Sequence, residues 1–283
     1  MSDYTRIGPT AHVTAYVWYR LELPYAELFA TREGARLYWA LRGSVEWTTR
    51  YLPYPSLAEF LEFRHRLIDA AIARLAPDRI VELGAGFSRR GLTWVLDHAV
   101  PYVEIDLPHM SAAKRSMLER GAGRVRRVVE RGELELRCSD ILAPGFADEL
   151  AGLLAGAKRP LVVSEGMLPY LTAADTEQLL RSVASALREQ GVEGHMLVDV
   201  QRADRERKFG AAALLLRQLI QVVTRGNGAQ RPFRDLDHVD RVFAQAGFDG
   251  GEELRPRDFY EQVPRLRELR SPTSIWLARV RAR

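Results

Sequence analysis

The glycines at 84 and 86 lie in the run Arg79-Ile80-Val81-Glu82-Leu83-Gly84-Ala85-Gly86-Phe87-Ser88-Arg89-Arg90-Gly91, and their chemistry is that of a backbone a ligand can approach closely. A Cβ at either position would block that approach, and the chain must bend sharply there. An apolar run ending in an acid, then Gly-Ala-Gly, then a segment that reads as helix, is how a buried parallel strand turns into the helix behind it. Such a loop serves a nucleotide-type cofactor, or it is an ordinary tight turn between strand and helix.

Spacing selects among cofactors. A dinucleotide fingerprint places its third glycine three residues after the second, so that a pyrophosphate rests on the helix N-terminus. Here that position is Arg89 and the next glycine is Gly91, which disfavours NAD. S-adenosylmethionine uses the same strand and loop without a phosphate, and Glu82 ahead of the glycines suits its positively charged methionine end. About 20 residues past the glycines, where an acid at the end of a second strand meets a ribose diol, the chain reads Tyr102-Val103-Glu104-Ile105-Asp106-Leu107-Pro108. Glu104 and Asp106 alternate onto one side of that strand and Pro108 ends it, so one of the two can offer both carboxylate oxygens to the two hydroxyls.

The elements that must position these groups follow from periodicity. Ser56 opens a helix with Leu57, Leu61, Ile68, Ala71, Ile72 and Leu75 on one face, closed by Pro77. Arg64 falls on that apolar face and Arg66 points to solvent. An arginine facing the core needs an anion: the carboxylate of a bound S-adenosylmethionine, or a protein acid. Residues 109 to 121 read as helix and Leu134 to Cys138 as the third strand, with Cys138 a small core residue. That strand delivers Ser139-Asp140-Ile141 at its end, where Asp140 either accepts from an adenine amino group, with Ile141 over the ring, or caps a turn. Pro160 to Ser164 is the fourth strand, followed by Glu165-Gly166-Met167-Leu168-Pro169-Tyr170-Leu171. Ligands bind at the carboxyl ends of such strands, so either Glu165 lies where the charged end of the cofactor meets the methyl acceptor and Tyr170 edges that pocket, or these two residues only shape the loop. Thr172 and Asp175 cap the next helix, and 195 to 200 form the fifth strand. A segment at about 203–230 interrupts the repeat as a substrate lid or an extra packing helix; a helix at 236–246 and strands at 252–254 and 274–280 complete a terminal antiparallel hairpin.

Composition frames these motifs. The 283 residues, 47% of them apolar, suit one large α/β domain with an added lobe. Residues 1–55 are that lobe, an aromatic-rich cap over the cofactor domain at 56–283 that is broken by prolines 9, 24, 53 and 55 and forms no regular α/β unit, with Tyr16, Trp18 and Tyr19 beside His12 lining a substrate pocket or packing the lobe down. The net charge of +4 comes from arginines scattered over every element, all but three of the 41 basic residues, which reads as composition bias rather than a nucleic-acid surface. One cysteine excludes an internal disulfide framework, and no apolar run suffices for a signal sequence or a membrane span, so the expectation is a cytoplasmic protein without a metal.

Together Gly84-Ala85-Gly86, Val103 to Pro108, Ser139 to Ile141, Ser164 to Leu171 and Lys208-Phe209-Gly210 resemble, in order and spacing over about residues 10 to 270, the leucine carboxyl methyltransferase family. The likeness is closer to its bacterial branch, the polyketide O-methyltransferases of the tetracenomycin type. The resemblance implies an α/β fold of class I: a seven-stranded, mostly parallel, Rossmann-like sheet with helices on both faces. It implies that Arg64 holds the cofactor carboxylate, that Gly84 and Gly86, with Ala85 between them, pass beside its methionine part, and that Asp106, followed by Leu107, takes the ribose. Asp140 and Ile141 would take the adenine, and Glu165, with Gly166, the methionine ammonium. Two departures stand out: Phe87-Ser88 replaces the usual acid after the glycine loop, and no lysine precedes Lys114, so Arg6, Arg20 or Arg50 must complete the site in place of the N-terminal lysine of the eukaryotic enzymes. This second departure also argues against a phosphatase-tail substrate.

Methyl transfer from a sulfonium is an in-line displacement, so the enzyme aligns the acceptor and excludes water. A carboxylate acceptor is already ionised at neutral pH, whereas a phenol, with a pKa of about 10, needs a base. His12, Tyr16, Tyr170, His195 and Gln201 are the candidates for a base or orienting group, His195 being remote at the start of its strand. The expected partner is a small-molecule methyl acceptor, and S-adenosylhomocysteine is the product. A protein carboxyl or nucleic-acid methyltransferase, or a silent binder of the cofactor, are the alternatives.

Overall fold

The computed structural model describes residues 8–43, 55–207 and 233–282. Its seven strands are β1 (Arg79–Leu83), β2 (Tyr102–Asp106), β3 (Leu134–Cys138), β4 (Pro160–Ser164), β5 (Gly194–Gln201), β6 (Gly250–Glu253) and β7 (Thr273–Val280). They form one sheet in the order β3-β2-β1-β4-β5-β7-β6. The first five run parallel, and β7 inserts antiparallel between β5 and β6. The order reverses between β1 and β4, and there the carboxyl ends of the strands part to leave a crevice.

Alternation along each central strand builds a core on both sides of the sheet. Ile80, Leu161 and Leu197 face one layer, with α3 (Leu57–Leu75), α4 (Arg90–His98), α5 (Pro108–Glu119) and α6 (Arg124–Glu130). Val81, Leu83, Val162 and Val198 face the other, with α7 (Phe146–Leu154), α8 (Ala173–Glu189) and α10 (Leu236–Ala246). Helix α3 begins where its spacing predicts. The Ser56 hydroxyl accepts from Glu59 N–H (3.2 Å) and the Glu59 carboxylate from Ser56 N–H (2.7 Å), a reciprocal cap that satisfies two otherwise orphaned donors. Thr172 and Asp175 cap α8 in the same way. Ala76, left-handed at φ +46, and Pro77 end α3.

Three features depart from the sequence reading. The N-terminal stretch contains two helices, α1 (Gly8–Arg20) and α2 (Arg32–Leu41), which pack on each other. Pro9, read as a breaker, sits in the first turn of α1, where a missing N–H costs nothing. Cys138 is exposed rather than core, because β3 is the edge of the sheet and Cys138 its last residue. The strand expected at 252–254 runs from Gly250 to Glu253, since pairing begins at Gly250 opposite Arg279. Of the segment at 203–230, a short α9 (Ala203–Arg207) is described and the remainder of the expected lid lies outside the described residues. Among the described residues, no helix is long and apolar enough to cross a membrane.

Behind β2 the Glu104 carboxylate approaches Lys114 of α5 to 2.5 Å, with both side chains 2% exposed. Burial is the main force on Glu104 and pushes its pKa from 4.5 up to about 7, against the pull of Lys114. The folded protein therefore holds this proton more tightly than the unfolded chain, so stability is greatest below the unfolded pKa and falls as pH rises through 4.5 toward 7. Between pH of about 5.5 and about 7.5 the expected loss is about 2 kcal/mol. Urea denaturation across that window should show the slope in the wild type and a flatter line in Glu104→Gln; parallel lines would exclude Glu104 as its source.

Candidate active site

The turn after β1 carries the backbone that the sequence demands. Gly84 and Gly86 have φ of +66 and +53, and a Cβ on Gly84 would lie 2.8 Å from Met167 Sδ. Gly86 N–H donates to Asp106 Oδ2 (2.5 Å) and Leu107 N–H to Oδ1 (2.7 Å), which fixes the carboxylate at the tip of β2 with lone pairs to spare. Burial raises the Asp106 pKa and these two N–H groups oppose the rise. Past β3, Leu142 N–H donates to Asp140 Oδ1 (3.0 Å), leaving the second oxygen of this exposed acid open beside half-buried Ile141.

Beneath the glycine loop lies a connected set of buried charges. Arg90, 0% exposed, reaches Glu82 (2.5 Å) and Asp69 (2.7 Å) and pairs with Glu165. Tyr102 Oη donates to the other oxygen of Glu82 (2.8 Å). Arg64 donates through Nε to Glu165 Oε1 (2.9 Å) and through Nη1 to Asp199 Oδ2 (3.1 Å), and Gly166 N–H donates to Asp199 Oδ1 (2.6 Å). His65 lies 3.0 Å from Glu165 Oε2, and Arg89 pairs with Asp69. Burial works against ionisation of Glu165, but Arg90, His65 and Arg64 overcome it and hold the carboxyl well below its usual range. His65 is depressed by burial and stays neutral at pH 7. Four carboxylates thus face three guanidiniums, a formal excess of one negative charge at the base of the crevice that burial opposes by raising the pKa of Glu82 and of Asp199.

The crevice gathers most of the residues singled out from sequence. Arg64, Glu82, Gly84, Ala85, Gly86, Asp106, Leu107, Asp140, Ile141, Glu165 and Gly166 all line it, as do Tyr170 and Gln201. Its remaining wall is largely apolar: Val13, Leu41, Leu57, Phe60 and Leu61 from the N-terminal half of the chain, with Trp18 at the charged end. Glu104 is not among the lining residues, so of the two acids on β2 only Asp106 meets the crevice; Glu104 is turned onto Lys114 behind the strand. Glu82 has both oxygens engaged by Arg90 and Tyr102. Arg64 faces the core as its spacing predicts, seated on protein acids, the second of its two expected partners.

The other candidates stand apart from the crevice. His12 bonds Thr31 Oγ1 (2.8 Å) and packs its ring on Phe87, and Tyr16 packs on Tyr38 and Tyr19. His195 is the second residue of β5, at the end away from the crevice. Arg20 lies over the Trp39 ring, while Arg6 and Arg50 fall outside the described residues. His65, Asp69, Arg89, Arg90 and Asp199 were missed as site residues. The available signal was Arg89-Arg90, just beyond the glycine loop after Phe87-Ser88, two charges entering a helix that must pack on the sheet. Among the described residues, no three His, Cys, Asp or Glu side chains gather as a metal site would require.

A sheet of this order, with a glycine-lined crevice at its switch point, is the architecture of the class I methyltransferases. Residues 21–184, more than half of the chain, match the family model described as leucine carboxyl methyltransferase, and the chain belongs to that family. It is a methyltransferase. The fold is shared with an O-methyltransferase family protein from Burkholderia thailandensis (TM-score 0.54, 14% identity, 100% of this chain and 74% of that one). It is also shared with human N-acetylserotonin methyltransferase, solved in complex with S-adenosylmethionine (TM-score 0.51, 13% identity, 98% and 68%). No curated protein matches the chain.

Proposed function

We propose that this chain transfers a methyl group from S-adenosylmethionine to an oxygen of a small polyketide-like molecule, a carboxylate or a phenol. The observation that carries this reading is that Asp106, Asp140 and Glu165, at the carboxyl ends of three different strands, border one crevice together with Gly84. The fit is chemical. Asp106 keeps lone pairs for a ribose diol, Asp140 keeps an open oxygen for an adenine amino group beside Ile141, and the glycine turn admits the methionine chain. Glu165 suits the ammonium, Arg64 the carboxylate, and the negative excess around them suits a sulfonium.

Bound there, the cofactor supplies an electrophilic methyl carbon. The chain's own task is alignment and dryness: Val13, Leu57, Phe60 and Leu61 give an apolar wall that keeps water from the acceptor. Tyr170 Oη is 2.9 Å from Thr10 Oγ1, and burial raises the phenol's pKa, so at neutral pH Tyr170 is a hydrogen-bond donor that orients an acceptor oxygen and not a base. Among the described residues, no histidine lines the crevice. That favours a carboxylate, which arrives ionised, over a phenol.

The test is transfer of labelled methyl from S-adenosylmethionine across a panel of apolar carboxylic acids and phenols. Methyl esters are expected, with kcat/KM varying by less than about threefold from pH 6.5 to 8.5 because no base need titrate. A rate rising about tenfold per pH unit would point to a phenol whose own ionisation limits transfer. Binding without turnover on any acceptor would leave a silent cofactor binder.

A further inference from the structure

We infer that His65 is a positioning residue for the cofactor site: its Nδ1–H holds the Glu165 carboxylate in the orientation that receives the methionine ammonium. The inference rests on the cofactor reading above and adds a residue that reading does not use.

His65 is 0% exposed and has charged neighbours on every side. Arg64 and Asp69 share its helix, Arg89 and Arg90 face it from the start of α4, and Glu165 faces it from the end of β4. The Trp18 ring of α1 lies 4.5 Å away and closes the remaining side. These neighbours assign the tautomer. Arg89 Nε–H points at His65 Nε2 (3.2 Å), and a guanidinium can only donate, so Nε2 is bare. The imidazole hydrogen is then on Nδ1, 3.0 Å from Glu165 Oε2. Arg90 Nη2 also lies 2.9 Å from Nδ1 while it serves Glu165, so each ring nitrogen faces a guanidinium; what separates them is that Nδ1 has a carboxylate oxygen within 3.0 Å, whereas the Asp69 oxygen facing Nε2 lies 3.7 Å away. Burial keeps the imidazole neutral, so His65 orients Glu165 through a directional bond without adding to the positive charge that Arg64 and Arg90 already place there. The carboxylate is fixed from behind by His65 and Arg90, and from the side by Arg64. A carboxylate free to rotate would lose that alignment toward a ligand in the crevice.

Two near-isosteric amides separate positioning from packing. In His65→Asn the amide nitrogen replaces Nδ1 and can still donate to Glu165; in His65→Gln it replaces Nε2 and cannot. Both remove the ring from Trp18 and are similar in polarity, so a purely structural histidine predicts equal losses. Calorimetric titration with S-adenosylhomocysteine should leave the asparagine variant within about threefold of wild type and weaken the glutamine variant by at least about tenfold. Equal affinities in the two variants overturn the role of His65 while leaving the proposed function intact, whereas a folded wild type that does not bind removes both. A measurement on the wild type alone, the nitrogen-15 spectrum of histidine-labelled protein at neutral pH, should show His65 protonated at Nδ1 and bare at Nε2. The opposite tautomer, or an imidazolium, overturns the inference even if a variant fails to fold.

Discussion

Arg90→Leu should lower the free energy of unfolding by about 4 kcal/mol. The side chain is fully buried, and its nitrogens are divided among Glu82, Asp69 and Glu165. Leucine fills part of the volume but takes a guanidinium from three carboxylates: Glu82 is left buried with only the Tyr102 hydroxyl, while Asp69 keeps only Arg89 and Glu165 only Arg64 as guanidinium partners, in a medium that penalises unpaired charge. Arg90→Lys keeps the charge and loses the fork; one ammonium cannot serve three acids in different directions, and less than half of the loss should be recovered. Chemical denaturation of the three proteins provides the comparison. A leucine variant within about 1 kcal/mol of wild type would mean that the carboxylates relax to water or neutralise instead of relying on the guanidinium.

Asp106→Ala should weaken S-adenosylhomocysteine binding by about 100-fold to about 10,000-fold. Two charge-assisted hydrogen bonds to a ribose diol contribute about 1.5 to 3 kcal/mol each, and the substitution also removes the acceptor that steadies Gly86 and Leu107 N–H. Asp106→Asn should fall between alanine and wild type, since an amide offers one acceptor where two N–H groups and a diol compete. Calorimetry reads the difference directly. Loss of less than about tenfold in the alanine variant would remove Asp106 from the ribose and leave it a brace for the glycine loop.

What could be read from the chain alone followed from local rules. Leu134–Cys138 and Pro160–Ser164 are short runs of strand-forming residues, and each begins and ends where its pattern does. Strand ends carry ligands in parallel sheets, so Asp106, Asp140 and Glu165 stood out before any coordinates. The inward turn of Arg64 followed from helical spacing, but the identity of its partners did not. Glu165 and Asp199 lie 101 and 135 residues away in sequence, and only the packing of α3 against the sheet brings them together. The same holds for His65 and Asp69. Cys138 was misread for a related reason: an alternating strand shows which residues share a face, whereas exposure depends on whether the strand is central or at the edge. Helices α1 and α2 were hidden by prolines and aromatics that suggest irregular chain, although Pro9 occupies a position where helices accept it.

The buried charges ties α3, the start of α4, β1, β2, the end of β4 and β5 into a single set, because Arg90, Glu165 and Arg64 each bridge at least two of these elements. No element that carries a charged member can detach without leaving an ion abandoned in the interior, and β2, tied in through the Tyr102 hydroxyl on Glu82, is paired along its length to β1, so partial opening there is as costly as opening the whole. The backbone amides of these six elements should accordingly exchange with deuterium at one common slow rate, while α2 and the edge strand β3, outside that set, fluctuate open independently and far sooner.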